Sequence, residues 1–85
     1  MDLPLPSWFR YRQGIAEPAG EHCYKLRVPV IGAAFSRVRA QEGRWQAAVA
    51  QAPDGPDLHA TEPKFAQEAE AWHAAFELYK STVIY

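Results

Sequence analysis

Polar and apolar positions alternate in three stretches of the first half of the chain, and toward the C-terminus the period lengthens to that of a helix. In "WFRYR", Phe9 and Tyr11 share one parity and Arg10 and Arg12 the other, which predicts a short half-buried strand. "GIAEPAGEH" is broken by Gly and Pro and reads as a loop. "YKLRVPV" alternates again, Tyr24, Leu26 and Val28 against Lys25 and Arg27, and Pro29 marks the strand's end or a sheet edge.

The third stretch, "FSRVRAQEGRWQAAVAQ", makes a hairpin if Glu42 and Gly43 form the turn. That register sets Ala40 opposite Trp45, Val38 opposite Ala47 and Ser36 opposite Val49 on one face, and leaves Arg37, Arg39, Gln41, Arg44, Gln46 and Ala48 on the other. A longer loop would scramble the two sets. "APDGPD" then ends the strand.

In "TEPKFAQEAEAWHAAFELYK" the residues Phe65, Ala69, Trp72, Phe76 and Tyr79 follow one another at spacings of 4, 3, 4 and 3, the apolar stripe of an amphipathic helix, with Ala75 and Leu78 beside it. Thr61 suits the N-cap, Pro63 the first turn, and Glu62, Glu68 and Glu70 the positive end of the helix dipole. "STVIY" has strand chemistry and could pair at a sheet edge. The expected fold is α+β and a single domain: a Pro-containing leader (1–7), an antiparallel sheet of three or four strands (8–51), a loop (52–61), one C-terminal helix on one face of the sheet (62–80) and a terminal strand (81–85).

At 85 residues the chain has room for one small core, and its three Trp, four Tyr and four Phe are the means to fill it. Cys23 is the sole cysteine, which rules out an internal disulfide and suits a reducing compartment. No apolar run approaches the roughly 18 residues of a membrane span, and "MDLPLPSW" lacks the layout of a signal peptide, so a cytoplasmic protein with no membrane partner is expected. The net charge of −1 hides a division. Residues 1–44 hold seven cations against four acids, a balance of +3, and the remainder holds two cations against six acids, a balance of −4.

If the strands form as read, the uncovered sheet face collects Arg10, Arg12, Lys25, Arg27, Arg37, Arg39 and Arg44, all outside the core. A basic sheet or ribbon of this kind can enter the major groove of DNA, where arginine forks match guanine and other cations hold phosphates. The same alternation also keeps any sheet face wet. "FSRVRAQEGRWQAAVA" resembles the first hairpin of AP2-like DNA-binding domains of bacterial and phage proteins, a three-stranded sheet followed by a helix. Val38 and Arg39 match the end of that family's first motif, Gly43, Arg44 and Trp45 its turn, and Phe65 with Glu70, Ala71 and Ala74 its helix entry. The resemblance implies DNA held by the sheet in the major groove, through Arg39, Arg44 and Trp45.

Little else in the chain looks chemical. His22 and Cys23 are neighbours, yet neighbours in an extended chain point apart and nothing is placed to orient them. His73 lies at helical spacing from Glu70 and Glu77, and His59 lies beside Asp57, arrangements usual on a solvated surface. No ligand spacing suggests a metal, and no cofactor or catalysis is expected. Trp72 and Trp45 belong to inward positions, whereas Trp8 shares the parity of Arg10 and Arg12. The expected function is a non-enzymatic binding module for an acidic partner, DNA first; the alternative is a small phage or bacterial accessory or inhibitor protein that binds a protein. Cations undiluted by acids would favour nucleic acid, and Glu17, Glu21 or Glu42 folded across them would favour a protein. The sequence leaves the oligomeric state open.

Overall fold

In the computed structural model, which describes residues 3–84, the chain from Ile15 to Ala60 is an antiparallel meander. Its strands β1 (Ile15–Gly20), β2 (Cys23–Val28), β3 (Gly32–Gln41), β4 (Arg44–Ala50) and β5 (Asp57–Ala60) lie side by side in chain order. A short helix, α1 (Ser7–Tyr11), precedes the sheet, and α2 (Glu68–Tyr79) packs on one face of it before running into a π-helical turn, Lys80–Ile84. The fold is α+β with a C-terminal helix on an antiparallel sheet, and that sheet has five strands where the sequence predicts three or four.

The β3–β4 hairpin has the register that the apolar pattern demands. Ala40 faces Trp45, Val38 faces Ala47 and Ser36 faces Val49. Glu42 (φ 52°) and Gly43 (φ 78°) both take left-handed backbone, the geometry whose twist matches that of the flanking strands. Gly43→Val should therefore destabilise the protein by about 1 to 2 kcal/mol, because a β-branched residue resists that conformation even though open space surrounds the position. A chemical denaturation midpoint equal to the parent's would mean that the turn tolerates any residue.

Five segments depart from expectation, the first being the expected loop 52–61, whose residues Asp57–Ala60 form β5 on the edge of β4. "WFRYR" is helical: Phe9 is fully buried, Tyr11 is 83% exposed, and Arg10 N and Arg12 N donate to Pro6 O and Trp8 O. An alternating pattern of five residues also fits one helical turn, and packing decides here, since the Phe9 ring meets Phe76 edge-on at 5.1 Å. The turn closes so tightly that a Cβ on Gly14 would lie 2.6 Å from the Phe9 ring. The Gly- and Pro-containing loop is strand β1, where Pro18 is tolerated because β1 is an edge.

Helix α2 starts later than expected, with Gln67 as N-cap in place of Thr61, and Glu70 Oε1 accepts from Gln67 N at 3.0 Å. The residues before it complete the edge of β4: Thr61 N donates to Ala47 O, and Trp45 N donates to Phe65 O. Phe65 is thus a bridge residue outside the helix, and Ala69 is exposed. The expected terminal strand is the π-helical turn as far as Ile84; Tyr85, like Met1 and Asp2 of the leader, lies outside the described residues.

The core lies between the inner sheet face and α2. Leu26, Val28, Ala34, Val38, Ala47 and Val49 meet Ala71, Trp72, Ala75, Phe76 and Tyr79, with Phe9 closing one end. Tyr79 Oη donates to Gly32 O at 2.7 Å, so the helix end is bonded to the start of β3. Among the described residues no helix is long and apolar enough to cross a membrane.

Candidate functional site

Residues directly opposite one another in an antiparallel sheet share a face, so the register fixes which side chains stand on the outer surface. Lys25 lies between Glu17 and Phe35, Arg27 between Ile15 and Ala33, Arg37 between Cys23 and Ala48, Arg39 beside Gln46, and Gln41 beside Arg44. Five of the seven cations expected together, Lys25, Arg27, Arg37, Arg39 and Arg44, therefore occupy one face. Arg10 and Arg12 do not. They lie on α1 and in the residue that caps it, exposed to solvent, because "WFRYR" is a helical turn.

The outer face is also less open than its alternation suggests. Cys23, Ala48 and Ala50 stand on it yet are buried. Their small side chains leave room for the 51–56 loop, and Arg37 fastens that loop. Its Nη1 donates to Pro53 O and its Nη2 to Gly55 O, each at 2.6 Å, while Nε and Nη2 both reach Asp57 Oδ1 at 3.2 and 2.7 Å. The side chain is only 16% exposed. Arg37 is a structural residue, a correction to its expected place as a free cation outside the core. The neutral loop carbonyls explain the choice of arginine, whose planar fork can satisfy a carboxylate and two carbonyls at once.

Asp57 joins two arginines, since its Oδ2 accepts from Arg39 Nη2 at 2.6 Å. Burial alone would push this carboxyl up, but the hydrogen bonds and charges of Arg39 and Arg37 outweigh it and hold the group below the usual carboxylate range. Arg39 Nε also donates to Gln46 Oε1 at 3.2 Å, which leaves Nη1 without a bond among the described residues, and the side chain is 43% exposed. Arg44 is exposed beside the hairpin turn and makes no ion pair among the described residues. Near the other end of the face, Arg27 Nη2 lies 4.0 Å from Glu17 Oε1, with both side chains about half exposed.

Two acids thus stand among the five cations. Glu17 arrives because the expected loop is strand β1, and Asp57 because the residues after the Pro- and Gly-rich turn form β5. Glu21 and Glu42 lie in turns, exposed. Neither Asp57 nor β5 announces itself in the sequence: all four residues of β5 are exposed, so the strand has no apolar period to betray it.

His22 and Cys23 diverge, as neighbours should. Cys23 is buried on the outer face, and burial pushes its thiol up, away from the reactive thiolate. His22 Nδ1 lies 3.2 Å from Glu68 Oε2 at the edge of the helix side. Trp45 is half-buried and edge-on to the His22 ring at 5.6 Å, on the inner face rather than toward a ligand of the outer one. Trp8 is half-buried too, stacked on Tyr79 at 6.5 Å with Lys80 Nζ 5.3 Å from its ring centre. His59 and His73 are exposed. Among the described residues no group of three or more His, Cys, Asp or Glu comes together to hold a metal. Set against protein-family models, curated proteins and solved structures, the chain gives no match.

Proposed function

We propose that the chain is a non-enzymatic binding module, working in the cytoplasm, whose outer sheet face engages an acidic partner, and that this partner is duplex DNA. The observation that carries the reading is the exposed end of the β3–β4 hairpin. Arg39 and Arg44 stand there on adjacent strands beside Gln41, with no helix over them, while the Gln46 amide is bonded to Arg39 Nε and Thr61 O. Arginine and glutamine are the side chains that read guanine and adenine edges, and a two-stranded ribbon is narrow enough for the major groove. Asp57 and Gln46 hold Arg39 in one pose, so its ordering costs less on binding. Lys25 and Arg27, farther along the face, are placed for phosphates. The AP2-like resemblance implies the same face and the same two arginines.

A second reading, a protein partner with an acidic surface, is favoured by Glu17 and Asp57. They lower the balance of the face to +3, five cations against two acids, and a mixed-charge surface suits a protein better than a continuous phosphate backbone. Lys25→Ala with Arg44→Ala separates the two. Neither side chain makes a hydrogen bond or ion pair among the described residues, so stability should stay within about 0.5 kcal/mol of the parent while affinity for duplex DNA falls and its salt dependence shrinks by about 2 in slope. A double variant that binds duplex DNA as tightly as the parent would put the protein partner first.

A further inference from the structure

On the helix side, away from the basic face, a cavity of about 340 Å³ opens where the β1–β2 turn, β2 and the start of α2 meet. Leu3, Pro18 and Gly20 form its apolar rim, and His22, Tyr24, Glu68 and Trp72 line the rest. Its size falls at the lower end of the range for small-molecule sites.

Among the described residues Glu68 is the one carboxylate of the lining, which holds no Lys or Arg. Glu68 Oε2 accepts from Trp72 Nε1 at 3.0 Å and lies 3.2 Å from His22 Nδ1, which fixes the carboxylate in place. Its Oε1 has no hydrogen bond among the described residues. A second acid, Glu21, has its Oε1 3.8 Å from His22 Nε2. Tyr24 and Trp72 meet edge to face with ring centres 5.4 Å apart, so aromatic surface borders the carboxylate.

His22 is held in place at the turn: its backbone takes left-handed φ 54°, its O accepts from Val38 N at 3.1 Å, its ring contacts Glu68, and Trp45 lies edge-on to it.

We propose that this cavity binds an alkyl ammonium group, either the end of a lysine side chain or a free primary amine. Glu68 Oε1 is the counter-charge, the half-buried Tyr24 supplies an aromatic wall that attracts a cation, and Leu3 and Pro18 take the alkyl stem. The site is independent of the outer-face reading, since it shares no residue with that face.

The test follows the Trp72 indole N–H resonance of the full chain at pH 7 while n-butylamine is added, with n-butanol and n-butyrate as the neutral and anionic analogues. The ammonium should give a saturable shift in the millimolar range, n-butanol should bind at least about tenfold more weakly, and n-butyrate should not bind. Glu68→Gln keeps an acceptor for Trp72 Nε1 and should weaken n-butylamine about tenfold. Repeating the titration with the N-acetyl, N-methylamide form of lysine divides the sources: tighter binding than n-butylamine assigns the site to a peptide side chain, weaker binding to a free amine. Equal binding of n-butanol and n-butylamine, or no saturable shift with the amine, would overturn the proposal on the parent protein alone, whether or not the variant folds.

Discussion

Trp72→Ala is expected to unfold the protein or nearly so. Trp72 is 1% exposed and packs with Val38, Ala47, Ala71 and Ala75, its ring meets Tyr24, and its indole N–H is bonded to Glu68. Truncating a buried tryptophan costs about 3 to 5 kcal/mol, and the stability of a domain this small is of the same order, about 5 kcal/mol. The neighbours cannot collapse into the gap, because three of them are alanines with nothing to extend. Thermal melting followed by circular dichroism reads the result; a variant that melts within a few degrees of the parent would mean that α2 does not hold the sheet.

The second large effect is expected on the opposite face. Arg37→Ala removes one partner of Asp57 and the donors of Pro53 O and Gly55 O, and should cost about 1.5 to 3 kcal/mol, the range for hydrogen bonds to a charged group. Arg44→Ala, on the same face, should cost less than about 0.5 kcal/mol. The same cluster sets an acid limit. Because the folded protein holds the Asp57 carboxyl below its unfolded value of about 3.9, the unfolded chain takes up the proton first as pH falls. The stability that Asp57 contributes is therefore complete above about pH 5 and is lost as pH drops through 4 and below, so Asp57→Asn should lower stability at neutral pH and flatten the acid limb of the curve. Denaturation midpoints for both variants against pH check this. Arg37→Ala with parental stability would return that residue to the set of free surface cations.

What the sequence made legible follows from where burial is one-sided. The β3–β4 hairpin could be read to the residue because its inner side chains are all apolar or small, and one register alone brings them together. The C-terminal helix was legible for the same reason, from Trp72 onward. The edges were not. β1 carries Pro18, ends in Gly20 and follows Gly14, and β5 is exposed on every residue, so neither shows the alternation by which a strand is recognised. The same lack of period conceals the two acids of the candidate site, Glu17 and Asp57, and with them the difference between Arg37, which fastens a loop, and Arg44, which has no bonded side-chain partner among the described residues. The alternation of "WFRYR" misled for the opposite reason: a single helical turn is too short to distinguish from a strand by period, and the fully buried Phe9 settles the matter only once its partners are known.

The most direct measurement is the affinity of the parent protein for duplex DNA across a series of salt concentrations. Lys25, Arg27, Arg39 and Arg44 are the four cations of the outer face left to meet DNA and displace its counterions once Arg37 is committed to the loop, so the logarithm of the association constant should fall against the logarithm of salt with a slope of about −3 to −4. A slope near zero, or no binding at the lowest salt, would contradict the account.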